Sequence, residues 1–253
     1  MKTIPTLLLL LTLTPALAAA TASPAERFVE ASQAYENGDP GEAAQLYESL
    51  TEVDTLSSAG RAQVYYNLGN AYLRQEKLGA AIAAYLRSFA EDPTDEDLLA
   101  NLEYARSHTR DDVERATAGP VVRTLFFWHF ILGKDTAITL ALLANLCFWL
   151  LWALHLYFRH GALLWGRHVA LGAALALGGS VLVRTVAPER VAVIAPEEAR
   201  VYAGQTPKSV VRFKLHEGTE VSVDAQDGGW VKVSLPDQKQ GWIPDADVMI
   251  VEL

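Results

Sequence analysis

The chain has 253 residues, 51% of them hydrophobic, and a net charge of −9 at pH 7. Residues 21–118 carry 18 Asp and Glu against 8 Lys and Arg, and residues 188–253 carry 11 against 7. Both polar stretches are therefore acidic, which excludes a nucleic acid partner, because phosphate binding needs a basic footprint. The single cysteine, Cys147, excludes an intrachain disulfide and a cysteine metal cluster.

Residues 1–20 have Lys2, an apolar stretch Leu7–Leu13 and small residues ending in Ala18-Ala19-Ala20. This three-part order predicts a secretory signal peptide, with an uncleaved anchor as the alternative. Either way, the stretch that follows is expected outside the cytoplasm.

Residues 24–115 show a helical period. Ala43 and Tyr47 recur 38 residues later as Ala81 and Tyr85. In VYYNLGNAYLRQEKLGAAIAAYLRSFAEDP, small Gly69 and Ala81 suit the crossing of two antiparallel helices. Tyr65, Leu68, Tyr72 and Tyr85 fill around that crossing. Pro93 ends the second helix, and Asp95–Arg110 predicts a further helix that caps the exposed face. The offsets of Leu68-Gly69, Tyr72, Ala81, Tyr85 and Pro93 closely resemble the tetratricopeptide repeat. The unit at Phe28–Leu50 lacks the Leu-Gly pair. The resemblance implies a groove for a peptide or protein partner, lined by Tyr66, Asn70 and Arg74, with Asn101 from the next helix. Paired asparagines suit an extended backbone or a terminal carboxylate. The alternative is that these residues face water or the neighbouring apolar hairpin.

Residues 120–133 contain VVRTLFFWHFILG, too short to span a bilayer and rich in aromatics. They predict an interfacial amphipathic segment, with His129 an interface anchor rather than a ligand.

Residues 136–158 then run for 23 residues without Asp, Glu, Lys or Arg, long enough for a transmembrane helix. A weaker run at 168–187 spans if Arg167 and Arg184 snorkel outward. The stretch RHGALLWGRH between them reads as a positively charged cytoplasmic loop. The pair predicts a membrane hairpin, with a buried hairpin in a soluble protein as the alternative. Asn145 is the polar residue well inside the first run. It could pair the two hairpin helices or reach a partner helix.

From residue 189 to 253 the pattern changes to short alternating runs, divided by turn signals such as Asp227-Gly228-Gly229 and Pro236-Asp237. Period-two alternation with regular turns predicts a small all-β barrel. Val221, Val223, Val231 and Val233 point inward. Gly218-Thr219, Trp230-Val231-Lys232-Val233 and Gly241-Trp242-Ile243 resemble the bacterial SH3-like domain. That resemblance implies Trp230 and Trp242 as contacts to cell-wall peptide. The alternative packs Trp242 in the core and lays Trp230 over a strand.

The six histidines are scattered without metal-ligand spacing, and no nucleophile elbow, phosphate loop or HExxH motif occurs. The expectation is a non-enzymatic multidomain membrane protein without a cofactor. Its parts are all-α tetratricopeptide repeats, a two-helix transmembrane hairpin and a C-terminal all-β SH3-like barrel. This order, with YYNLGNAYLRQEKLGAAIAAYLRSF, DPTDEDLLANLEYAR and FFWHFIL, is similar to the Bacteroides aerotolerance operon protein E (BatE) family. The similarity implies a scaffold in the bacterial inner membrane with both soluble parts periplasmic. It also implies von Willebrand factor A-domain membrane proteins as partners, an indirect MoxR-type ATPase and a role in envelope stress or aerotolerance. Peptidoglycan binding through the barrel is the alternative function.

Overall fold

The computed structural model describes residues 23–113 and 119–253, so the expected signal peptide lies outside the described residues. Five helices come first. They are α1 (Pro24–Glu36), α2 (Pro40–Thr51), α3 (Ser58–Arg74), α4 (Leu78–Glu91) and α5 (Glu96–Ser107). Their starts are encoded locally. Ser23 and Glu26 form a reciprocal capping box on α1, and Asp39, Ser57 and Asp95 accept first-turn N–H groups of α2, α3 and α5. Each cap contributes about 1 kcal/mol. The helices pack as two antiparallel pairs with α5 against α4. The close approach of α3 and α4 depends on Gly69, where any Cβ would run into the Tyr85 ring. The first pair shares its core with the second: Ala31, Ala34, Ala43, Ala44, Tyr47 and Leu50 pack in one cluster with Val64, Leu68 and Ala71 of α3 and Ala84 of α4.

Two short helices, α6 (Pro120–Leu125) and α7 (Phe127–Ile131), follow, with Val121, Val122, Leu125, Phe126, Phe127 and Ile131 exposed. His129 Nδ1 and Ser180 Oγ share a hydrogen bond at 2.6 Å, and Arg184 donates to the Leu132 carbonyl at 2.8 Å. The segment is thus tied to Ser180 and Arg184, near the end of the second of the two long helices that follow. Helices α8 (Lys134–Phe158) and α9 (Gly161–Val186) form an antiparallel hairpin, each long and apolar enough to cross a membrane. Their connection differs from the expected ten-residue loop. Arg159 in the left-handed conformation ends α8, His160 caps α9, and α9 begins at Gly161 rather than at 168. Leu163, Leu164 and Trp165 continue the helix, and the nearby Arg and His only interrupt the apolar run.

The C-terminal part is a seven-stranded antiparallel sheet. Its strands are β1 (Arg190–Ile194), β2 (Glu198–Tyr202), β3 (Val211–His216), β4 (Glu220–Asp227), β5 (Trp230–Ser234), β6 (Gln240–Pro244) and β7 (Val248–Glu252). The order is β3-β2-β6-β5-β4-β1-β7, wrapped around one core of Ala192, Ile194, Val201, Val231, Val233 and Ile243. Gly228 and Gly229, both at positive φ, make the two-residue turn between Asp227 and Trp230. The last run divides at a 3-10 turn, Asp245–Asp247, into β6 and β7.

The repeats and the sheet are not independent beads. Val193 and Val251 are buried in the same cluster as Ile82, Tyr85, Leu86, Leu98 and Leu102. Around this shared core, Arg106 makes a two-pronged ion pair with Glu220 at 2.6 and 2.8 Å. The Gly79 N–H donates to Glu217 at 2.9 Å, and Asp111 accepts from His216 and Thr219. The sheet therefore docks on α4 and the end of α5.

Candidate partner-binding surfaces

Helices α1, α3 and α5 are the first members of successive helical units and lie in a row. Sheet docking occupies α4, so this row stays open to solvent. Its centre is a polar cluster. Asn101 Nδ2 donates to Asn70 Oδ1 at 2.9 Å and to the Tyr66 hydroxyl at 3.1 Å. The Tyr85 hydroxyl, carried by α4, donates to the same Asn70 oxygen at 2.7 Å. Burial, with Tyr66 nearby, pushes the Tyr85 phenol above its ordinary range, so it stays a neutral donor. Tyr66, Asn70 and Asn101 are brought together. Among the described residues, their bonds leave the Asn70 NH₂ group and the Asn101 carbonyl oxygen for water or a ligand.

Arg74 lies apart. Its guanidinium sits 4.2 Å from the Tyr35 ring centroid and donates to the Tyr35 carbonyl at 3.0 Å. It ties α3 to α1 and does not complete a carboxylate clamp with the two asparagines. Two tyrosines belong to this surface that the repeat pattern does not single out, Tyr35 under Arg74 and Tyr104, which is 56% exposed and packs on His108; Tyr85 lies buried beneath the asparagines. The spacing marks Tyr85 only as a core filler, and its hydroxyl is what turns it toward the cluster.

On the sheet, alternation sends Val231, Val233 and Ile243 inward and Trp230, Lys232 and Trp242 outward. Trp242 stands opposite Tyr202 on β2 and Lys232 on β5. Trp230 meets the Tyr202 ring edge-on at 5.6 Å. Trp242 is therefore not a core residue: the two tryptophans and Tyr202 form a half-buried aromatic ridge on the outer face. Asp227 stands opposite Trp230 and Lys232 opposite Trp242, so the ridge has no single sign of charge.

Comparison with known families agrees with this division. Residues 28–96 match the tetratricopeptide repeat family model, and residues 195–248 match the bacterial SH3 domain model. A search of the curated proteins finds no match to the chain. The molecule thus joins a helical-repeat region, of a kind that generally mediates protein–protein interaction, to a bacterial SH3 domain.

Proposed function

We propose that the protein is a non-enzymatic, membrane-anchored scaffold whose open helical row binds a protein partner. The observation that carries this reading is the way the domains share their surfaces. The sheet covers α4 and the end of α5, whereas the row of α1, α3 and α5 leaves Tyr66, Asn70 and Asn101 half-exposed and Tyr104 exposed. Amide and hydroxyl groups on a tyrosine-rich floor suit an extended peptide backbone. The two apolar helices support anchorage in the inner membrane of a bacterium. In this reading both ends of the hairpin emerge on one face, with the repeats and the sheet together in the periplasm. The resemblance to the BatE family makes von Willebrand factor A-domain membrane proteins the first partners to test, with a MoxR-type ATPase acting indirectly.

A second reading rests on the ridge of Tyr202, Trp230 and Trp242, which offers ring faces to a peptidoglycan fragment. A photo-crosslinker placed at Tyr104 and, separately, at Trp230 in native membranes separates the two. Capture of a von Willebrand-type membrane protein from position 104 supports the scaffold. Capture of murein fragments from 230, with nothing from 104, replaces it with a wall-binding module.

A further inference from the structure

Helix α8 carries two stripes of residues spaced alternately by four and three. The first, Ala137, Ala141, Ala144, Phe148, Leu151 and His155, faces α9 and is partly or fully covered by it. The second runs beside it through Ile138, Leu142, Asn145, Trp149, Trp152 and Leu156, and every one of these residues is exposed. Such spacing keeps a stripe against a parallel helix over its whole length. From Ile138 to Leu156 the stripe rises about 27 Å, close to the hydrocarbon thickness of a bilayer. The aromatic part is held in place. Arg167 of α9 sits 5.4 Å from the Trp152 ring centroid, and Trp149 stacks on Trp152 at 5.3 Å with the planes 4° apart.

Asn145 lies near the midpoint of α8 and makes no side-chain hydrogen bond among the described residues. Pairing with the other hairpin helix is therefore not its role. An amide facing hydrocarbon without a partner is costly, and a second helix relieves that cost.

We infer that this stripe is the contact through which two copies of the chain pair in the membrane, with Asn145 of each facing Asn145 of the other. The inference rests on the membrane-anchored reading given above. Three features select a second copy over another protein. A carboxamide is at once donor and acceptor, so two of them satisfy each other across a two-fold axis. Identical chains insert with the same orientation, so their α8 helices run parallel and residue 145 sits at the same depth in both. The stripe also carries no charged group, and Asn145 is the lone polar residue of that seam, so pairing amide to amide fixes one register.

The test uses the full chain in native membranes, with Cys147→Ser as background. Alkaline extraction comes first. A chain released into the supernatant overturns the membrane reading itself, and the pairing with it. A chain retained in the pellet is then oxidised with Leu142→Cys, on the stripe, or Leu143→Cys, off it. The expected result is a band of twice the monomer mass from 142 and none from 143. Adding Asn145→Leu lowers the crosslinked fraction about tenfold, whereas Asn145→Gln preserves it. Equal crosslinking at both positions, no crosslinking at 142, or an adduct from 142 to a different protein overturns the pairing while leaving the membrane reading intact.

Discussion

Asp111, in the chain leaving α5, accepts hydrogen bonds from both the backbone N–H and the ring Nδ1 of His216, each at 2.7 Å. The Thr219 hydroxyl adds a third at 2.7 Å. Asp111 thereby fastens the end of the repeats to the turn between β3 and β4. Burial alone would raise its carboxyl pKa. The Thr219 hydroxyl and the His216 ring and backbone N–H outweigh that effect and hold the carboxyl below its ordinary range.

A lowered pKa gives the pH dependence its sign. The folded state favours ionised Asp111, so its contribution is complete above the unfolded-state value near pH 4 and is lost as pH falls through the lower folded value. Asp111→Ala is expected to cost about 2 kcal/mol at pH 7, because Thr219 is buried and loses its acceptor. The gap between variant and wild type should shrink as the pH drops from about 5 to 2. Thermal melts of the detergent-solubilised chain across that range check it. A gap that stays constant would show that ionisation of Asp111 is not what holds the contact.

The Arg106–Glu220 pair is the other charged tie, with side chains only 20% and 12% exposed. Removing one partner strands the other, so Arg106→Ala or Glu220→Ala should each cost about 3 kcal/mol. Replacing both together with Met and Leu should recover most of that loss. The double-mutant cycle should show a coupling above about 1 kcal/mol, read from hydrogen exchange of α4 and β7 amides.

Asn70 has a structural task that complicates its use as a probe of partner binding. Asn70→Ala leaves the Tyr85 hydroxyl without its acceptor and should destabilise the repeats by about 1–2 kcal/mol. In a Tyr85→Phe background the same change should cost much less. Chemical denaturation of the four combinations tests this. Equal costs in both backgrounds would mean the two groups do not act together. Loss of partner binding by Asn70→Ala counts as recognition only when it persists in the Tyr85→Phe background.

The repeats, the apolar hairpin and the sheet were legible because each writes its own period into the sequence. Gly69 against Tyr85 announces a helix crossing, and Gly228-Gly229 announces a tight turn. What stayed hidden depends on tertiary placement. Arg74 occupies a groove offset yet is drawn to Tyr35 on α1, since a long cation stacks on whichever ring is near. Trp242 fits either a core or a surface reading until its strand register is known. The docking of repeats on sheet leaves no period at all. It uses Glu217, Glu220, Asp111 and Gly79, residues that read locally as turn, strand start, helix exit and helix start.

Gly79 offers the sharpest check of that docking, because the first repeat contains its matched control. Gly41 and Gly79 are both the second residue of their helices, α2 and α4. At Gly41 an added Cβ meets only the Asp39 side chain at 3.4 Å. At Gly79 it would lie 2.5 Å from the Ile194 carbonyl oxygen, which is backbone and cannot swing aside. Helix propensity favours Ala over Gly by up to about 1 kcal/mol at both sites. Gly41→Ala should therefore be neutral or stabilising. Gly79→Ala should destabilise by about 1–3 kcal/mol, through strain and the disturbed N–H bond to Glu217. The loss should appear as faster hydrogen exchange in β1 and β7, with the α1–α2 amides unchanged. If the two substitutions behave alike, the sheet does not press on α4, and the shared core of Val193 and Val251 with Ile82 and Leu86 does not persist in solution.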